Sequence, residues 1–111
     1  MISVHVTLGK RLSLRMKGHA GSAEIGKDLV CASASILAYT LAQNVRDHQS
    51  ACEKTTIKLN EGDAEISCIP NEECVKGMRI LYAAFVRGFE LLQANFPDKV
   101  SVQRGNTKHR L

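Results

Sequence analysis

Apolar and polar residues alternate at the start of the chain, where Ile2, Val4, Val6 and Leu8 are separated by Ser3, His5 and Thr7. A period of two predicts a half-buried strand over residues 2–8. Leu12, Leu14 and Met16 repeat the pattern over residues 11–17. Gly9-Lys10 between the two runs predicts a two-residue hairpin turn with glycine at its first central position. The period then changes. Val30, Ala34, Leu37, Leu41 and Val45 recur at helical spacing, with Leu29 and Ile36 widening the stripe, so residues 28–46 predict a helix. Asp28 suits the N-cap, and Arg46 complements the dipole at the other end. Small residues crowd the first turns (Ala32, Ser33, Ala34, Ser35 and Ala38), which lets a backbone or a substrate come close.

Alternation returns over residues 54–59, with Thr55, Ile57 and Leu59 on one side. Asn60-Glu61-Gly62-Asp63 forms a turn. Residues 64–69 give a fourth strand, built on Ile66 and Cys68 or, on the other face, Ile69, and Pro70 ends it. Residues 72–95 predict a second helix capped by Asn71. Its stripe of Val75, Met78, Leu81, Tyr82, Phe85, Phe89 and Leu92 belongs to a core rather than to a cofactor site. Gly77 and Gly88 weaken this helix and mark close packing. Pro97 stops it, residues 99–103 give a short fifth strand, and the basic tail from Arg104 to Leu111 frays. The order is strand-strand-helix-strand-strand-helix-strand. It predicts an α+β layered fold, with two main helices on a mixed, mostly antiparallel sheet. No repeat or linker divides the chain, so residues 1–111 read as one domain.

Composition sharpens this picture. A chain of 111 residues buries roughly two-thirds of its unfolded surface, enough for one core. Apolar residues make up 44% and charged residues 23%, a globular balance; aromatics are 5% and Trp is absent, so the core is aliphatic. No apolar run approaches the ~20 residues of a membrane span. The opening alternation is also not the basic-then-apolar pattern of a secretory leader. A membrane protein, a secreted precursor and a multidomain machine are therefore excluded, and a cytoplasmic protein is expected. The net charge of +4 and the strand face carrying Arg11, Arg15 and Lys17 fit a solvated surface. Such charge attracts RNA without specificity, and no RNA-binding motif or stacking platform accompanies it, so no specific nucleic-acid binding is expected.

The chain has four cysteines: Cys31, Cys52, Cys68 and Cys74. A disulfide framework needs a secreted context. No C-x-x-C spacing marks a metal site, and no metal or cofactor is expected. Reduced thiols remain, and the question is which of them can react. Helix N-termini stabilise thiolates, and Cys31 and Cys74 both fall at a third helical position, after Asp28 and Asn71. Glu72 and Glu73 oppose a thiolate at Cys74. Cys31 has one neighbouring carboxylate, Asp28, and follows residues 18–27, a loop with three glycines that carries His19. If the strand before this loop and the helix after it are adjacent, His19 and Cys31 meet. A Cys–His pair is the minimum for nucleophilic acyl transfer; a buried cysteine with an incidental loop histidine is the plainer alternative.

Gly18-His19-Ala20-Gly21, followed by Gly26-Lys27-Asp28-Leu29-Val30-Cys31 and by Ser35 four residues later, resembles the ribosomal-processing cysteine protease (Prp) family over 18 consecutive positions. The resemblance implies a small homodimeric cysteine protease of the bacterial cytoplasm. It also implies the substrate: the N-terminal extension of large-subunit ribosomal protein number twenty-seven. Carried over, Cys31 is the nucleophile and His19 its general base and acid. Gly18, Ala20, Gly21, Gly26, Asp28 and Ser35 are supporting positions. Where the family more often has Ala-Ala-Val-Ser after the cysteine, this chain has Ala32-Ser33-Ala34-Ser35. Asp28 either caps the helix or orients His19. Ser35 contacts the thiolate, contacts substrate, or only permits close packing. A ribosome-binding module without catalysis, or a cysteine hydrolase with another substrate, is the competing class.

Overall fold

The computed structural model describes residues 1–19 and 29–105. The chain runs β1 (Ile2–Leu8), β2 (Leu12–Lys17), α1 (Leu29–Asp47), β3 (Cys52–Asn60), β4 (Asp63–Pro70), α2 (Val75–Asn95) and β5 (Val100–Arg104), with 3₁₀ turns at Gln49–Ala51 and Glu72–Cys74. The fold is α+β, in the predicted order. The five strands form one sheet in the order β3-β4-β2-β1-β5. Every neighbouring pair is antiparallel except β1 with β5, which is parallel, so the sheet is mixed.

The register explains why alternation was so legible. Val6 lies opposite Leu14, Leu14 opposite Ile66, and Ile66 opposite Ile57. Val102, Val4, Met16, Ala64 and Leu59 form the next row. Successive strand residues point to opposite faces, so these rows make one apolar surface. The two helices cover it with Val30, Ala34, Ala38, Leu41, Ala42 and Val45 from α1 and Met78, Tyr82, Val86 and Phe89 from α2, all buried. The small residues of α1 and Gly88 of α2 set a close approach. A β-carbon on Gly88 would lie 2.8 Å from a Leu37 methyl, whereas Gly77 has open space around it. The other sheet face is polar: His5, Arg15, Glu65 and Lys58 share one register row. Arg15 and Lys17 are exposed there, as a solvated face requires.

Several local expectations change. Leu8 pairs with Leu12, so the first turn has three residues, 9–11, and Gly9 does not have a positive φ. Leu29 and Ile36 are 67% and 62% exposed and stand outside the packed stripe, because α1 buries the face of Val30, Ala34, Ala38, Leu41, Ala42 and Val45. Asn71 precedes a 3₁₀ turn rather than α2, and its amide donates to the Ser50 carbonyl instead of capping. Arg104 belongs to β5 and pairs with Glu90 at 3.2 Å, so the frayed tail cannot begin there. The remainder of that tail, residues 106–111, lies outside the described residues, as do Ala20, Gly21, Gly26 and Asp28.

Tyr82 ties helix to sheet. Its ring is fully buried and its hydroxyl donates to the Ile66 carbonyl oxygen at 3.1 Å. Tyr82→Phe should cost about 1 kcal/mol, the net worth of one internal hydrogen bond. Tyr82→Ala should cost about 3–5 kcal/mol through lost burial and the cavity left behind. Urea unfolding checks both through the midpoint at constant slope.

Candidate active site

Four segments converge beyond the end of β2. The strand stops at Lys17, and Gly18 takes a φ of +100° to leave it. An L-residue rarely adopts that angle, and a β-carbon there would run into the Met1 carbonyl oxygen. The Gly18 N–H donates to the Gly62 carbonyl at 2.9 Å, which fastens the tip of the β3–β4 hairpin to this point. His19 follows, exposed, and its carbonyl accepts from the Met1 amino group. Cys31 is the third residue of α1 and half-buried.

His19 and Cys31 line one cavity of about 320 Å³. Ser35 and Tyr39 continue its wall along α1, at spacings of four residues that place them on the same helix face as Cys31. Asn60, Glu61 and Gly62 form the facing wall, and the apolar Ile2, Met16, Ala34 and Ala64 lie beneath. Cys31 sits where the first N–H groups of α1 lack carbonyl partners within the helix, and the first turn of α1 contains no acidic residue. Among the described residues no group of His, Cys, Asp or Glu could hold a metal ion. A thiol at a helix start, a histidine and an open wall are the residue types that acyl transfer uses.

A protein-family model described as cysteine protease Prp matches residues 1–101. The chain belongs to the Prp family of cysteine proteases. It is therefore a cysteine peptidase by family. Solved structures agree in fold. The Staphylococcus aureus ribosomal processing protease Prp, crystallised with a covalently linked product peptide, superposes with a TM-score of 0.74 at 18% identity, covering 95% of this chain and 100% of that one. SMU.848 from Streptococcus mutans superposes with a TM-score of 0.69 at 28% identity, covering 94% and 93%. No curated protein matches the chain.

The other three cysteines of this Prp-family chain sit elsewhere. Cys74 closes the Glu72–Cys74 3₁₀ turn and occupies the N-cap of α2, not its third position, with Glu72 and Glu73 just before it. Cys52 begins β3, its sulfur 3.8 Å from the His48 carbonyl. Cys68 is buried in β4. Burial first, and then the neighbouring Cys52 thiol, push the Cys68 thiol up to about 12. The Tyr82 hydroxyl is pushed up as well, by burial and then by Cys68.

In the sequence, residues 60–63 read only as a turn and Tyr39 does not stand out. The position of Tyr39, eight residues after Cys31 on a helix, was a usable signal. Nothing local in the sequence linked Gly62 to His19, because their contact depends on the pairing of β2 with β4.

The raised pKa of Cys68 has a defined consequence for stability. The folded state holds this proton more tightly than the unfolded chain does. Its contribution is complete below pH 9 and is lost as pH rises from 9.0 toward about 12. Unfolding free energy measured by urea should fall across that window. Cys68→Val should flatten part of the decline. An equal slope in both proteins would remove Cys68 from the account.

Proposed function

We propose that this protein removes the N-terminal extension of large-subunit ribosomal protein number twenty-seven, with Cys31 as nucleophile and His19 as general base and acid. The observation that carries this reading is that the two residues of the Prp-type motif, 12 positions apart in sequence, line the same cavity. The S. aureus Prp structures with substrate and product peptides support a peptide segment as the substrate class.

His19 takes the Cys31 thiol proton, and the thiolate attacks the scissile carbonyl carbon. As the C–N bond breaks, His19 returns the proton to the leaving amine. Water then attacks the thioester, regenerating the thiol and releasing the carboxylic acid. Backbone N–H groups at the start of α1, that of Cys31 included, hold the oxyanion, a role commonly worth about 3–4 kcal/mol per donor. Ser35 lines the cavity one turn beyond the thiol, which favours contact with thiolate or substrate over mere packing. Gly18, Ala20, Gly21, Gly26 and Asp28 enter this reading only as supporting positions of the motif.

The reading includes a cytoplasmic homodimer. In support of self-association, Ile36 and Leu91 stand 62% and 58% exposed beside an apolar groove between α1 and α2. Against the competing ribosome-binding module, the sheet's basic residues have acidic neighbours in register: Arg15 lies opposite Glu65 and Lys17 opposite Asp63.

Mass spectrometry of the ribosomal precursor incubated with the protein provides the test. Cys31→Ala should lower cleavage by on the order of 10⁴-fold or more while folding normally. Cys74→Ala should cleave at the wild-type rate. Trimming by Cys31→Ala at the normal rate would sink the assignment. Retained Cys31 activity toward other peptides, with the ribosomal precursor left intact, would replace only the substrate.

A further inference from the structure

The strands β3 and β4 pair through Asn60 and Asp63, so only Glu61 and Gly62 form the hairpin tip. Gly62 has a φ of +73°, and no other residue of this tip has a positive φ. That angle explains a glycine by itself, but asparagine tolerates the same region. A second constraint comes from the neighbour. A β-carbon on Gly62 would lie 2.7 Å from His19 Nε2 and 3.1 Å from its Cε1, closer than real contacts allow. The imidazole rests directly on the Gly62 backbone. The same residue accepts the hydrogen bond from the Gly18 N–H at 2.9 Å, one residue before His19. The β3–β4 tip thus holds both the backbone entering His19 and the ring itself.

We propose that Gly62 is a positioning residue for the His19 imidazole: the absence of its side chain forms the seat on which the ring is held toward the Cys31 cavity. The inference rests on His19 serving Cys31 as base. Any side chain at residue 62 must push the ring off its seat or displace the hairpin tip. A misplacement of ~1 Å in a proton-transfer group can cost about 100-fold in rate.

The test uses iodoacetamide, which reads the Cys31 thiolate without assuming a substrate, together with cleavage of the ribosomal precursor. With Gly62→Ala, the pH midpoint for Cys31 alkylation should rise, and kcat should fall about 10–100-fold with KM within about twofold. Gly62→Asn, which tolerates the backbone angle but keeps a β-carbon, should be impaired as severely. Recovery in Gly62→Asn would show backbone strain alone and overturn the proposal, as would wild-type alkylation and turnover in Gly62→Ala. If Gly62→Ala is poorly folded, thermal melts still decide. The Tm lost to Gly62→Ala should shrink in a His19→Ala background, where the ring is gone, and an equal loss in both backgrounds would overturn the seat. His19→Ala alone separates the two claims: an unchanged Cys31 alkylation profile there would refute the dyad while leaving the Gly62 contact to be judged by the melts.

Discussion

Leu14 of β2 lies opposite Ile66 of β4, and much else depends on that pairing. Two local hairpins, β1–β2 and β3–β4, are joined into one sheet only along this line. The alignment carries Met16 to Ala64 and Leu12 to Cys68, so the inward rows of both hairpins become continuous. The same alignment sets Lys17 against Asp63 and brings Gly62 to Gly18. Apolar burial supplies the driving force and pleat geometry supplies the precision. A slip of one residue would move every inward side chain to the polar face. It would also carry Gly62 about 3.3 Å along the strand, away from His19.

This constraint explains what the sequence disclosed. Period-two alternation marks β1 to β4 because a two-layer fold leaves one sheet face to water, where His5, Arg15 and Lys58 stand. The helix stripes were legible for the same reason, and Tyr82 and Phe89 are buried as their spacing required. Leu29 and Ile36 misled because hydrophobicity reports what can be buried, not which arc of α1 the sheet receives. The turn at Gly9 and the role of Asn71 were decided by strand register and by the Ser50 carbonyl, neither of which a local window contains.

The site divides in the same way. Cys31 and His19 could be singled out because loop and helix start are adjacent in sequence and their residue types carry chemistry. The facing wall of Asn60, Glu61 and Gly62 arrives from more than 40 positions beyond His19. No local pattern connects the two, since contacts across β2 and β4 exist only after the sheet has formed.

The four thiols sit in different surroundings within one fold. Cys68 is packed beside Tyr82 and Cys52, where burial disfavours the anion and holds the proton. Cys31 lies at the opposite end of α1 from Cys52, among helix N–H groups and on a cavity wall. Burial and a helix start act in opposite directions on the same functional group. The sheet pairing that sinks Cys68 into the core also brings the hairpin tip to His19. Core register and the contact between the hairpin tip and His19 therefore depend on the same pairing of β4 with β2.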